Sequence, residues 1–216
     1  RILDYGCGSG GNFNMLNELG SVTGADNSET AVRLSSIDHP NVQTYLVTAE
    51  NKFPFPKKSF QLIALLDVLE HIEKDQEFLQ NLTQYLTADG WLLVTVPAYQ
   101  FLWSEHDIAL RHFRRYVLPT LKRQLDNAGF RVVYASYAIS FVLPVIILYR
   151  LLKKTKNIII TKNIPATSYV VLPKALNNLL IFSLKIEAWI MSWSRFFFGT
   201  SIIVLAQYHA NKPSRP

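Results

Sequence analysis

Two short stretches concentrate residues whose types and spacing could do chemistry. The first is residues 1–12, RILDYGCGSGGN, where a short apolar run ends in Asp4 and a glycine-rich turn leads to a helix start near Asn12. Glycine in such a turn permits unusual backbone angles and lets a ligand approach the main chain. The N–H groups at the following helix start favour a carboxylate or phosphate. Two spacings fit: Gly6, Gly8 and Gly11 satisfy G-x-G-x-x-G, whereas Asp4, Gly6, Gly8 and Gly10 satisfy D-x-G-x-G-x-G. A dinucleotide would bring its pyrophosphate to this turn, where Asp4 would repel it. The methionine end of S-adenosylmethionine (SAM) carries an ammonium that gains from the same charge, so Asp4 favours SAM, with an NAD(P)-dependent oxidoreductase as the alternative.

The second stretch, residues 97–116, is PAYQFLWSEHDIALRHFRRY. It packs two histidines, two acids, three arginines and several aromatics behind an apolar strand. His106 or His112 could take a proton from an acceptor, because imidazole is poised near neutral pH. Arg114 and Arg115 could clamp a phosphate or carboxylate. Trp103, Asp107 and Tyr116 join them as candidate substrate contacts. The alternative is that Arg114 and Tyr116 pin the loop internally.

Between these stretches the chain alternates strands and helices, which predicts an α/β fold with a doubly wound, mainly parallel sheet. Residues 21–26 read as a second strand ending in Asp26, 15 residues beyond Gly11. That is close to the separation of an acid that binds a ribose diol, although an N-cap role is also open. Residues 42–47 alternate as a third strand. The continuous apolar run 62–66 suits a strand buried on both faces, and DVLEH follows at 67–71. In an open α/β sheet, ligands sit beyond the carboxyl ends of the strands, which places Asp67, Glu70 and His71 at a site by position alone. A helix is expected over 75–87, a strand over 91–96, a helix over 118–128 and strands over 130–137 and 199–208.

Taken together, the D-x-G-x-G-x-G loop, Asp26, the "VLEH" segment and the "LWS-HD-x4-H-x-RRY" stretch resemble class I SAM-dependent methyltransferases, in the type 11, ubiquinone-methyltransferase-like branch. The resemblance implies a seven-stranded Rossmann-like sheet with an antiparallel last strand and SAM as cofactor. It implies that Asp4, Gly6, Gly8, Gly10, Asp26, Ala49 and Asp67 bind the cofactor, with Ala49 reaching adenine through its N–H. His71, His106 and His112 become candidate catalytic residues; no metal is implied. Thr48 stands where the family usually has Asp or Asn, and Gln61 where it usually has Asp.

Composition narrows the partners. The chain has 216 residues, is 49% hydrophobic and holds one cysteine, Cys7. That excludes an internal disulfide and a cysteine zinc site, and fits a reducing compartment. Sequence that opens on Arg1 and a strand suggests a segment missing upstream. Residues 1–138 carry a net −3 and residues 139–216 a net +9, an asymmetry that points the tail towards an anionic surface.

Two apolar helical stretches, 139–152 and 175–198, separate the last two strands. The first is shorter than the roughly 20 residues a bilayer span needs, and Lys185 and Glu187 interrupt the second. Short apolar helices with basic flanks and tryptophans read as interfacial membrane elements, with ordinary core or dimer packing as the alternative. A nucleic-acid groove is not expected, since it would interleave basic and aromatic residues.

The expected organisation is a SAM-binding core over 1–138, a helical insertion over 139–198, a closing strand over 199–210 and a tail over 211–216. The expected activity is methyl transfer to a small, lipid or lipid-linked acceptor, in the cytoplasm at the inner face of a membrane. A non-catalytic membrane adaptor on the same fold is the remaining alternative.

Overall fold

The structure is a computed structural model that describes residues 1–48, 53–148 and 173–209. Seven strands form one sheet: β1 (Ile2–Tyr5), β2 (Val22–Asp26), β3 (Gln43–Leu46), β4 (Phe60–Leu66), β5 (Leu86–Pro97), β6 (Phe130–Ala138) and β7 (Ser201–Tyr208). Their order is β3-β2-β1-β4-β5-β7-β6. The first five strands run parallel, and β7 lies antiparallel between β5 and β6. This is the doubly wound, mainly parallel sheet that the sequence predicts.

The strands read as their positions require. Ile63, Ala64 and Leu65 of β4 are fully buried, as a central parallel strand covered on both faces should be. In β7 the buried residues alternate as Ile202, Val204 and Ala206, so Ser201 and Ile203 share the opposite face. The strand order reverses between β1 and β4, and ligands of open α/β sheets bind at such a switch point. The helices are α1 (Phe13–Asn17), α2 (Glu29–Asp38), α3 (Asp75–Leu82), α4 (Glu105–Ala109), α5 (Leu118–Asn127) and α6 (Lys174–Met191). A further helical stretch covers 143–148.

Three element boundaries differ from expectation. The helix expected over 75–87 stops at Leu82, followed by a 3-10 turn at Thr83–Tyr85, and Leu86 already pairs with Phe60. Asp89-Gly90 is therefore absorbed into β5 as an irregularity rather than preceding the strand. The helix expected over 175–198 ends at Met191, because Phe196 returns to the sheet as a bridge to Tyr137. The helix expected over 139–152 is helical at 143–148; residues 140–142 form a turn instead, and 149–152 lie outside the described residues.

A buried carboxylate ties α6 to the turn that follows β6. Glu187 is the only buried residue of α6, at 2% exposure. Its carboxylate accepts the N–H groups of Ser140, at 2.8 and 3.0 Å, and of Phe141, at 3.3 Å. The Ser140 hydroxyl donates in turn to the Phe198 carbonyl at 2.6 Å. The large apolar side chains of α6 face outward, Trp189 at 66% exposure among them. Among the described residues, no helix is long and apolar enough to cross a membrane.

Glu187→Leu should lower stability by about 1.5–3 kcal/mol, the range for hydrogen bonds to a charged group, and Glu187→Gln should restore part of it. Urea unfolding would report this as a lower midpoint. An unchanged midpoint would mean that other contacts hold the Ser140 turn.

Candidate active site

The turn after β1 needs glycine at particular places. Gly6 has φ +77°, and a Cβ there would lie 2.4 Å from Val68 Cγ2; Gly10 has φ +90°, and a Cβ would lie 2.7 Å from the Phe13 and His39 rings. Gly11 has neither a positive φ nor a neighbour within 4 Å. The backbone thus follows the D-x-G-x-G-x-G spacing rather than G-x-G-x-x-G. Cys7 within the turn is buried, and burial, then the charges of Asp4 and Asp26, push its thiol up to about 12. It is chemically inert.

Asp26, at the carboxyl end of β2, holds this turn. Its Oδ2 accepts the Gly8 N–H and its Oδ1 the Ser28 N–H, both at 2.8 Å. Ser28 takes the N-cap position of α2, its hydroxyl accepting from the Ala31 N–H at 3.3 Å, so the N-cap reading of Asp26 does not hold. Each Asp26 oxygen keeps acceptor capacity for a diol. Asp4 lies under the turn at 1% exposure, and neither carboxylate oxygen has a hydrogen-bond partner. Burial, and secondarily the Asp26 charge, raise its pKa to about 7.

Two cavities open along the carboxyl edge of the sheet. The smaller, about 260 Å³, is lined by Tyr5, Gly6, Asp26, Asn27, Asp67, Val68, His71 and Ile72. The larger, about 500 Å³, is lined by Asp67, Glu70, His71, Leu102, Ser104, His106, Leu110, His112, Arg115, Ile146, Thr200 and Ser201, among others. Asp67 and His71 belong to both. Asp67 adopts φ +55° at the end of β4, and its carboxylate accepts from the Thr95 hydroxyl at 3.2 Å. Burial raises its pKa. Burial, then the neighbouring His112, lowers that of His71.

The second chemical stretch folds over the larger cavity, and several of its charged residues are directed at one another rather than at a ligand. Asp107 is fully buried and saturated with donors. Its Oδ1 meets His112 Nδ1 at 3.0 Å and Arg115 Nε at 2.7 Å; its Oδ2 accepts from the Ser104 N–H at 2.8 Å, the Ser104 hydroxyl at 3.0 Å and Arg115 Nη2 at 3.0 Å. Burial alone would raise its pKa, but these bonds, led by Arg115, hold it at about 2. Asp107 and Arg115 are thus directed at each other, although Arg115 still lines the cavity.

Arg114 pairs with Asp75 at 2.8 Å and donates to the Glu73 carbonyl at 2.6 Å. The Tyr116 hydroxyl lies 2.9 Å from Asp75 Oδ2 and 3.1 Å from the Leu69 carbonyl. Neither residue lines either of these two cavities, and both pin the loop to α3 and to the 3-10 turn at Leu69–His71, as the internal reading anticipates. Trp103 is half-buried and also lines neither cavity. His71, His106 and His112 all face the larger one. Ala49 lies outside the described residues.

Asp75 and Thr95, the internal partners of this loop and of Asp67, escape sequence reasoning. Each is far along the chain from the residue it satisfies. Glu70 is more notable. It is 1% exposed, its Oε2 has no partner, and burial raises its pKa to about 8. Glu70, His71 and His112 offer three ligand atoms within 4.8 Å of one another, a set able to hold a divalent cation although the sequence implies none.

A family model described as a methyltransferase domain matches residues 1–135. The chain belongs to this methyltransferase family. Its relatives include a ubiquinone biosynthesis O-methyltransferase of Hydrogenovibrio crunogenus, 29% identical over 42% of this chain and 40% of the relative. A demethylmenaquinone methyltransferase of Tropheryma whipplei is 28% identical over 59% of this chain and 53% of the relative. The chain therefore spans about half the length of these curated relatives, or less. A SAM-dependent methyltransferase from Mesorhizobium loti shares the fold with a TM-score of 0.61 at 16% identity, covering 96% of this chain and 90% of that one. The methyltransferase cofactor is SAM, and the site fits it. The smaller cavity offers a glycine turn, a carboxylate with spare acceptor capacity at Asp26, and a buried, unpartnered carboxylate at Asp4 beneath.

Because the folded Asp4 pKa is raised, its contribution to stability is present below the unfolded value near 4 and is lost as pH rises through about 7. The ligand-free methyltransferase should therefore lose stability between pH 5 and 8 relative to Asp4→Asn, by on the order of 3 kcal/mol. Parallel urea midpoints across that range would contradict an isolated Asp4.

Proposed function

We propose that this chain transfers the methyl group of SAM to a lipid or lipid-linked small molecule, such as a quinone precursor or a polyprenyl-linked sugar. The observation that carries this reading is the wall shared by the two cavities. Asp67 and His71 border both, so a cofactor in the smaller cavity and an acceptor in the larger would meet across them. The quinone-related names of the relatives favour the same acceptor class. In this reading residues 1–138 are the cofactor-binding core, 139–198 a helical insertion, 199–210 the closing strand and 211–216 a tail.

When bound, SAM supplies an activated methyl group open to in-line displacement by an oxygen, nitrogen or carbon nucleophile. The protein contributes alignment above all. Asp26 holds the ribose diol while fixing the Gly8 N–H, and Gly6 and Gly10 let the turn close on the methionine end. Asp107 accepts the Nδ1–H of His112, which leaves Nε2 as the proton acceptor on a residue of the larger cavity. His106, exposed at the same cavity, is the alternative base. The apolar outer face of α6 with Trp189, the exposed Trp193 just beyond its end, and the basic charge of residues 139–216 suit docking at the cytoplasmic face of an anionic membrane.

A second reading rests on the unpartnered Glu70 oxygen. A divalent cation at Glu70, His71 and His112 would activate the acceptor oxygen as a Lewis acid, and His112 would then be a ligand rather than a base. Glu70→Gln separates the two: it should abolish cation binding in calorimetry and cation-dependent turnover if this reading holds, and leave a cation-independent kcat if His112 acts as base.

Calorimetry with S-adenosylhomocysteine tests the first step. Wild-type protein should bind it, Asp26→Ala should lose the binding, and NAD should not bind at all. With a prenylated hydroquinone as acceptor, His112→Gln should lower kcat by about 10²–10⁴ while leaving S-adenosylhomocysteine affinity unchanged. Equal turnover would remove His112 from proton transfer. Sedimentation with phosphatidylglycerol-containing vesicles should capture the wild type and lose Trp189→Ser/Trp193→Ser; equal capture would remove α6 from the docking face.

A further inference from the structure

We propose that the groove beneath α6 holds the hydrocarbon tail of the acceptor whose head occupies the larger cavity. This rests on the lipid-acceptor reading above and adds the site and chemistry of the tail. The groove, about 480 Å³, is lined by Ala138, Ile139, Leu184, Ala188, Met191 and Ile203, with Tyr134, Glu187 and Ser192 at its polar points. The groove is open to solvent along α6, where Leu184 and Ala188 are exposed, and an apolar concavity left on a surface is of the kind that marks a binding site.

The few polar groups of its wall already have partners within the protein. The Glu187 carboxylate is taken up by the N–H groups of Ser140 and Phe141. The Tyr134 hydroxyl donates to the Met191 carbonyl at 3.0 Å, and the Ser192 hydroxyl to the Trp189 carbonyl at 2.7 Å. What remains to meet a ligand is hydrocarbon.

Proximity to the larger cavity identifies which hydrocarbon, since Ser201 at the cavity pairs directly with Ala138 at the groove. Ser201 of β7 lines that cavity, and Ile203, two residues on and on the same face, lines the groove; the step is roughly 7 Å along a strand. The insertion provides the facing wall in the same way, with Ile146 at the cavity and Ile139 at the groove. One molecule with a polar ring and an apolar chain would therefore lie along β7, its ring near His112 and its chain under α6.

The test compares farnesyl-hydroquinone with unprenylated hydroquinone by calorimetry, on wild-type protein and on Ala188→Trp, which fills the groove. The expected result is binding of farnesyl-hydroquinone to the wild type and about tenfold or greater weakening in Ala188→Trp. Affinities for S-adenosylhomocysteine and unprenylated hydroquinone should not change. Leu184→Asn, on an exposed position of the helix, should give the same selective loss, and it decides the matter if Ala188→Trp does not fold. No binding of farnesyl-hydroquinone to the wild type, or equal binding to the groove variants, would overturn the proposal. Failure of the wild type to bind S-adenosylhomocysteine would instead overturn the methyl-transfer reading, with the farnesyl comparison still reporting on the groove.

Discussion

The acceptor side of the site depends on one buried carboxylate. Asp107 has no solvent to stabilise its charge, so every donor around it is obligatory. It meets Arg115 through two nitrogens, Ser104 through two groups and His112 through one. Those five contacts draw the ends of a loop of about a dozen residues into one arrangement, and they set the ring of His112 against that of His71, 4.6 Å away between centroids. A buried ion pair of this kind is weak evidence for net stability, but losing one partner leaves an uncompensated charge. The loop therefore has little freedom to drift away from the cavity it roofs.

The cofactor side follows the opposite logic. Asp4 is as deeply buried as Asp107 and has no donor at all. Two buried carboxylates thus end at opposite extremes, one held at about 2 and the other raised to about 7. A saturated acid organises the protein, whereas a starved one is a place where a ligand's positive charge would be stabilised. Asp26 combines the roles, since it fixes the Gly8 and Ser28 N–H groups and still has lone pairs to offer. Glu70, buried with one free oxygen between His71 and Arg115, belongs with Asp4 rather than with Asp107.

This contrast explains what was legible in the sequence. The sheet was, because burial on two faces writes itself as the apolar run at 62–66 and burial on one face as the alternation in 201–208. The glycine turn was legible as a place, and the requirement at Gly10 rather than Gly11 decides between two spacings that the sequence alone left open. For Arg114 and Tyr116 the sequence left substrate contact and internal pinning both open, and for Arg115 it offered only the former. A guanidinium or phenol looks the same whether it faces substrate or an internal acid. For Arg114 and Tyr116 that acid is Asp75, some 40 residues earlier in the chain and brought close only by the packing of α3. Likewise, nothing local distinguishes Glu187 as an anchor rather than as a polar interruption of an apolar helix.

That anchor accounts for the least ordinary element of the fold. A helix docked on a soluble core normally buries an apolar stripe and shows charge to solvent. In α6 the order is inverted: the carboxylate is inside, and tryptophan, leucine and phenylalanine side chains are outside. Hydrogen bonds from two backbone N–H groups are directional, so Glu187 fixes the height and rotation of α6 over the sheet without consuming its apolar surface. An element held by apolar packing would have closed the space between itself and β7. One held at a polar point can stand off from the sheet, and the groove bounded by Ala138, Ala188 and Ile203 is the space that results. The same contact thus leaves apolar area on the outer face, of a kind that marks interaction surfaces, and an open apolar groove against the sheet.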